Sequence, residues 1–287
     1  MTARDQRGDG HRPVDRRLLV TGGLWLAGTS LLATPEAEAA TLTRAQLTAK
    51  LTAYQRSRGG SLSVALYDRR NYSVFKYHPT WRNETLSIVK VLIMATVLRR
   101  CQERKVNLTK TQAEQAYAMI TRSDNGAANA LLTWAGVSNV RRVARMYDLT
   151  STVIQGGTTA GASNWWGYST TTARDQLRLI HDVIWGTSVI TVANREYLKR
   201  LMAQVTPTQR WGVCAPPLPT SNSWNTKNGW GPRTGGYRLN SIGHISGNGR
   251  DYVAVILSRA PRGFYYGQDT VNAVSKILYA AMAHPLT

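Results

Sequence analysis

The chain has 287 residues, 43% of them hydrophobic and 18% charged, a composition that excludes a disordered or fibrous protein and leaves a packed globular one. Its formal net charge of +20 favours anionic partners in a salt-dependent way. No module signature points to specific nucleic-acid binding.

Residues 1–40 read as an export signal. Arg16-Arg17 precede an apolar run from Leu18 to Leu32, and Pro35 and the small-residue site Ala37-Glu38-Ala39 follow, placing cleavage after Ala39 or Ala40. The paired arginine favours the twin-arginine route. The apolar run is too short and glycine-rich for a stable span, so no membrane span is expected after cleavage. Five arginines balance five acids in this leader, so the positive excess belongs to the mature part. A secreted or cell-wall-associated monomer is the expected product, with anionic wall polymers among its available partners. Cys101 and Cys214 are the only cysteines. Their compartment permits a disulfide, and the sequence leaves open whether they meet.

The remainder reads in chain order. Residues 43–57 form an amphipathic helix with Leu47, Leu51 and Tyr54 on one stripe, capped by Thr43 and closed by Gly59-Gly60. Strands over 61–68 and 72–77 flank the tight connection Arg69-Arg70-Asn71. From about 85 to about 204 the apolar spacing is helical, over 87–104, 110–121, 125–134, 138–147 and 172–185. Between the last two lies Q-G-G-T-T-A-G-A-S-N-W-W-G-Y, a long glycine-rich loop of the kind that carries function in compact domains. Strands return over 223–231, 237–246 and 251–259, the last two joined by the turn Gly247-Asn248-Gly249. A helix over 268–283 closes the chain. The order predicts an α+β, two-lobed fold: an antiparallel sheet flanked by the N- and C-terminal helices (41–84 and 222–287), with an all-helical lobe (85–221) inserted.

Three polar elements interrupt this apolar framework. In T-L-S-I-V-K-V-L-I-M, Ser87 and Lys90 stand three apart at the head of an oily helix, so the amine is on the hydroxyl's face. Burial would lower the lysine pKa and let it take the serine proton. Ser123-Asp124-Asn125 separates two helices, and Lys227-Asn228-Gly229 lies in a strand. Taken singly, each has a bland explanation: a helix cap with a solvated lysine, a second cap, and an edge-strand lysine before a turn.

In this order the three elements resemble the S-x-x-K, S-D-N and K-T-G signature of the penicillin-recognising serine enzymes, and the arrangement is most similar to the class A β-lactamases. The resemblance extends from the first helix to the last. It implies Ser87 as the acylated nucleophile, Lys90 as its proton acceptor and Ser123 as the relay to the leaving nitrogen. Asn125 would bond a substrate amide, Lys227 and Asn228 a substrate carboxylate, with Gly229 completing the motif. The backbone N–H groups of Ser87 and Trp230 would form the oxyanion hole. No cofactor is implied, and the five histidines lack metal-ligand spacing.

The pattern also departs from that family. The loop from Ile154 to Tyr168 has no Asp or Glu, so the glutamate that activates the deacylating water has no counterpart; Asn164 is its one amide suited to orienting water. Ser169 replaces the acid of a D-T-T sequence, which puts the loop's clamping salt bridge in question. Asn228 replaces a threonine, and the 36 positions from Ser87 to Ser123 are fewer than the family uses, which predicts a roomier cleft. Trp165, Trp166 and Trp230 are expected around it. The reading is an exported serine hydrolase or acyltransferase acting on a β-lactam or a peptidoglycan-type peptide, with slow β-lactam turnover. Its alternatives are a β-lactamase that recruits water differently and a non-catalytic basic wall-binding protein.

Overall fold

The computed structural model describes residues 42–286; the expected leader and its cleavage site lie outside them. Helix α1 (Arg44–Arg58) starts at a capping box, in which the Thr43 hydroxyl accepts from the Gln46 N–H and the Gln46 side chain accepts from the Thr43 N–H. Such a cap contributes about 1 kcal/mol. Strands β1 (Ser61–Asp68) and β2 (Ser73–Tyr77) form the expected hairpin. A three-residue strand β3 (Arg82–Glu84) leads into a 3-10 turn at Leu86–Ile88.

The helical block comprises α2 (Val89–Arg104), α3 (Lys110–Thr121), α4 (Asn125–Ala135), α5 (Val137–Met146), α6 (Ala173–Trp185) and α7 (Val192–Ala203). Strand β4 (Thr170–Thr172) precedes α6 and pairs with β3 as a separate two-stranded ribbon. Strands β5 (Ser223–Arg233), β6 (Gly236–Gly247) and β7 (Arg250–Ala260) then return, and α8 (Phe264–Ala281) closes the chain. The main sheet is antiparallel with order β2-β1-β7-β6-β5. The two ends of the described chain thus meet at its centre, where Val64 pairs with Ile256.

Both faces of this sheet are covered, so β1 and β7 read as nearly continuous apolar runs. Val64, Leu66 and Ile256 point to α1 and α8, where they bury Leu47, Leu51, Val274 and Leu278. Their neighbours Ala65, Val255 and Leu257 point the other way and join one core with α2, α4 and α6. The expected α+β, two-lobed fold is what forms, but the helical block shares its core with the sheet instead of standing apart. The pairing of β3 with β4 further stitches the two together.

Three details differ from the sequence reading, and a fourth settles a point it left open. The β3–β4 ribbon was not expected, because R-N-E and T-T-T carry no apolar alternation. Helix α7, capped by the Thr191 hydroxyl, was hidden in a stretch read only as generally helical. Helix α8 begins four residues early, at Phe264-Tyr265-Tyr266, whose aromatic composition favours strands but whose first ring packs on Trp211 and Trp230. Finally, Cys101 and Cys214 are both free, the first buried in α2 and the second beyond it near the Pro-rich connection.

Candidate active site

Ser87 occupies the 3-10 turn ahead of α2, one step short of the α-helix the spacing predicted. The preceding Leu86 has φ of 48°, a left-handed conformation that a branched side chain adopts at a cost and that clusters at functional sites. Asn83 and Asn240 hold this segment from beneath. The Asn240 amide donates to the Glu84 carbonyl at 2.7 Å and the Thr85 carbonyl at 3.2 Å, while Asn83 donates to Asn240 Oδ1 at 2.8 Å. Neither the Ser87 N–H nor its hydroxyl has a hydrogen-bond partner among the described residues. Both are therefore available to a ligand.

Strand β5, at the edge of the sheet, passes directly over this turn. Gly229 makes the approach possible: a Cβ there would stand 2.7 Å from the Ser87 nitrogen and the Thr85 carbonyl oxygen, and 2.8 Å from the Ile88 nitrogen. No Cβ tolerates such contact with backbone atoms. Gly231, two residues on, similarly makes room for the Leu86 side chain.

Lys90 is fully buried in the first turn of α2 and projects toward the link between α3 and α4. Its Nζ bonds the Ser123 carbonyl, Ser123 Oγ at 3.1 Å and Asn125 Oδ1 at 2.8 Å. Ser123 itself has φ of 59°, the bend that aims its hydroxyl back at α2, and Asp124 caps α4 by accepting from the Ala127 N–H at 2.7 Å. From the opposite side Lys227 Nζ reaches the same Ser123 Oγ at 3.0 Å. Two lysines thus converge on one hydroxyl. Burial lowers the Lys90 pKa to about 7, against the opposing pull of Asp124. Burial and then the nearby Lys90 hold Lys227 well below the ordinary lysine value. A neutral Lys90 has a lone pair as well as two N–H donors. The hydroxyl of Ser123 can therefore accept from Lys227 and donate to Lys90.

Strand alternation sorts the remaining expected residues. Lys227, Gly229 and Gly231 face the turn and α2, and the residues between them face α8. Asn228 is 2% exposed and donates both amide hydrogens to the Gln209 and Trp211 carbonyls, at 2.8 and 3.0 Å. Its assignment to a substrate carboxylate is corrected: the amide braces the strand from behind. Trp230 likewise packs its ring on Trp211 and Phe264, away from Ser87, so only its backbone belongs to the site. Asn125 is exposed, and with its oxygen on Lys90 its amide hydrogens are available to a ligand.

The acid-free loop meets the site through an indole. Trp166 is 1% exposed, its ring centroid lies 5.0 Å from Lys90 Nζ, and its Nε1 donates to Asn129 Oδ1 at 2.7 Å. Asn129, on α4, also donates to the Thr158 carbonyl at 2.9 Å, so one amide pins two points of the loop. Asn164 is exposed, and its backbone carbonyl accepts from the Gly157 N–H at 2.7 Å, while its side-chain amide makes no hydrogen bond among the described residues. The clamp put in question by Ser169 is made with hydroxyls: Ser169 Oγ donates to the Trp166 carbonyl and accepts from the Gln155 N–H, at 2.7 and 3.0 Å. Asp175 adds the Ser151 N–H and the Thr152 hydroxyl, both at 2.8 Å. Of the three expected tryptophans, Trp166 packs against Lys90 and the Trp165 ring lies tilted against the Trp166 ring at 4.8 Å. The positioning residues Asn83, Asn129 and Asn240 were missed. Asn129 had a signal, since it follows Asn125 at i+4 on the same helix face.

Comparison with known proteins gives a consistent picture. A profile described as "Beta-lactamase enzyme family" matches residues 111–282, a span that includes Ser123, Asn125 and Lys227 and begins after Lys90. A protein named "Putative lipoprotein LppW", in Mycobacterium tuberculosis and in Mycobacterium bovis, is 26% identical over 230 residues, covering 77% of this chain and 70% of the relative. The class A β-lactamase from Mycobacterium abscessus superposes with a TM-score of 0.70 at 18% identity, over 83% of this chain and all of that one. The TLA-1 extended-spectrum β-lactamase gives a TM-score of 0.74 at 15% identity, over 85% of this chain and all of that one. Likeness at these identities speaks for the fold.

Proposed function

Since the chain belongs to the β-lactamase enzyme family, we propose that it is an exported serine acyl-transfer enzyme of the β-lactamase kind. Its nucleophile would be Ser87, and its substrate a β-lactam or a peptidoglycan-type peptide amide. The observation that carries this reading is the convergence of Lys90 and Lys227 on the Ser123 hydroxyl, beside a serine whose own N–H and Oγ are unengaged.

In the proposed cycle Ser87 Oγ attacks the substrate carbonyl carbon and its proton passes to neutral Lys90. The oxyanion takes hydrogen bonds from the N–H groups of Ser87 and Trp230, a form of stabilisation that removal of one donor weakens by roughly a hundred- to a thousand-fold. The C–N bond then breaks, and its nitrogen receives the proton from Lys90 through Ser123, leaving an ester on Ser87. Lys227 supplies positive charge for a substrate carboxylate, and Asn125 donates to a substrate amide carbonyl.

Deacylation is where this site differs. The Trp166 indole of the loop packs against Lys90, and it has no lone pair for a proton and excludes water. Loss of a placed general base costs about a hundred- to ten-thousand-fold, so a penicillin adduct is expected to persist. Export and placement at the cell envelope belong to the same proposal. The leader sequence and the lipoprotein name of the mycobacterial relative support it. No described helix is long and apolar enough to cross a membrane.

The test is intact-mass spectrometry after mixing with penicillin. One adduct on the native protein, none on Ser87→Ala, and persistence over minutes are expected. Clearance within seconds would favour a β-lactamase with another water-activating arrangement. Absence of any adduct would leave a non-catalytic wall-binding protein.

A further inference from the structure

The link between α3 and α4 carries Ser123, and strand β5 carries Lys227. Among the described residues no main-chain hydrogen bond joins these two segments, and the side-chain bond between them runs from Lys227 Nζ to Ser123 Oγ at 3.0 Å. A lysine stem is flexible and cannot fix that distance by itself. Residues 206–213, between α7 and β5, are bonded to both segments.

Helix α3 ends at Thr121, where the last carbonyls of a helix lack helical partners. Three successive carbonyls here are taken up from outside the helix. The Thr206 N–H donates to the Thr121 carbonyl at 3.0 Å, Gln209 Nε2 to the Arg122 carbonyl at 2.8 Å, and Lys90 Nζ to the Ser123 carbonyl. The middle bond fixes the Arg122–Ser123 peptide plane, from which the Ser123 φ is measured. That φ of 59° is a left-handed conformation that serine holds only where its surroundings impose it. At the other end of the same residue, the Gln209 backbone carbonyl accepts from the Asn228 amide at 2.8 Å. The segment is anchored beyond this point by the Gly212 N–H on Asn272 Oδ1 and the Val213 N–H on Ser241 Oγ, both at 2.8 Å. Gln209 thus bonds the residue before Ser123 and the residue after Lys227. It is 8% exposed, and neither its Oε1 nor Asn228 Oδ1 has a hydrogen-bond partner among the described residues. Buried polar atoms are normally satisfied, so two half-satisfied amides at one joint mark a place where geometry is kept at a cost in stability, as happens at functional sites.

We infer that Gln209 is a positioning residue for proton transfer at this site: its side-chain amide and its backbone carbonyl together hold the Ser123 hydroxyl and Lys227 Nζ in register. The inference rests on the acyl-transfer reading of Ser87 and deepens it. Without the donor at Gln209 Nε2 the Arg122 carbonyl loses its partner, Ser123 relaxes from its left-handed φ, and its hydroxyl leaves the point where the two lysines meet. The same relaxation admits water to Lys90, whose pKa of about 7 comes from burial. Relief of burial favours the charged amine and raises that pKa, so a smaller share of Lys90 is able to accept a proton at neutral pH.

The test is stopped-flow penicillin acylation across the pH range, with the native protein, Gln209→Met and Ser63→Ala compared. Gln209→Met keeps the length of the side chain and the backbone carbonyl and removes the donor. It should lower the saturating acylation rate by about a hundredfold, the scale of an ångström of misplacement, with a smaller change in the half-saturating penicillin concentration. It should also move the midpoint of the pH-rate profile upward from near 7. Gln209→Asn, whose amide stops one methylene short of the Arg122 carbonyl, carries the same expectation and serves if Gln209→Met does not fold. Ser63→Ala is the control. It removes the bond from the buried Ser63 hydroxyl to the His78 carbonyl at 2.9 Å, on β1, so it should lose stability in urea and keep the native rate and midpoint. A native rate and midpoint in the Gln209 variants, or an equal loss of rate in Ser63→Ala, would overturn the inference and leave the acyl-transfer reading standing. A native protein that penicillin does not label would overturn that reading and this inference together.

Discussion

Replacing Gly229 by alanine isolates the role of backbone proximity at the candidate site. Gly229 does not have a positive φ, so alanine meets no dihedral penalty and the effect is steric alone. The new Cβ would lie 2.7 Å from both the Ser87 nitrogen and the Thr85 oxygen, and these are backbone atoms that cannot rotate away. Relief to ordinary contact requires β5 to retreat by roughly 0.7 Å, and overpacking of this kind costs about 1–3 kcal/mol. The same retreat carries the Trp230 N–H away from the oxyanion position proposed for it, and misplacement on the ångström scale costs about a hundredfold in rate. Urea denaturation would read the stability and stopped-flow penicillin acylation the rate. A Gly229→Ala protein that acylates at the native rate with native stability would refute the claim that strand and serine are held this close.

Acylation should rise with pH through a midpoint near 7, because only neutral Lys90 accepts a proton and burial brings its pKa to about 7; a pH-rate profile flat from 5 to 9 would count against Lys90 as base. Asn129→Ala should remove both tethers of the loop and leave the buried Trp166 N–H unpaired, a loss of about 1–3 kcal/mol readable by thermal denaturation and by faster proteolysis within 154–168. Burial raises the Glu84 pKa, but bonds from Arg238 at 2.7 Å and Arg233 at 3.3 Å outweigh it and hold the pKa below the usual value. The stability from this carboxylate is thus present above its unfolded pKa and lost as pH falls through the lowered one. Glu84→Gln should flatten the acid limb of the stability profile, and an unchanged limb would show the contribution to be negligible. Because Cys101 and Cys214 are free, a thiol reductant should leave the melting temperature unchanged.

Much of this molecule is written locally in the chain. Thr43 and Gln46 start α1, apolar spacing marks α2 to α6, Gly247-Asn248-Gly249 turns β6 into β7, and the order of Ser87, Ser123 and Lys227 places the site's components. These signals act within one turn or one hairpin, where capping, periodicity and turn chemistry operate. What they could not supply was direction across space. The consecutive letters of a motif do not place Asn228, because a strand sends neighbours to opposite faces and the carbonyls of Gln209 and Trp211 accept from its amide. The contact between the acid-free loop and Lys90 is likewise settled by packing, where Asn129 holds the Trp166 indole near Lys90. Only the tertiary structure could bring Lys90 and Lys227, 137 positions apart, onto one hydroxyl. The shift of Lys90 toward neutrality follows from that burial, because the penalty on a charge is set by what surrounds it and not by its neighbours in sequence.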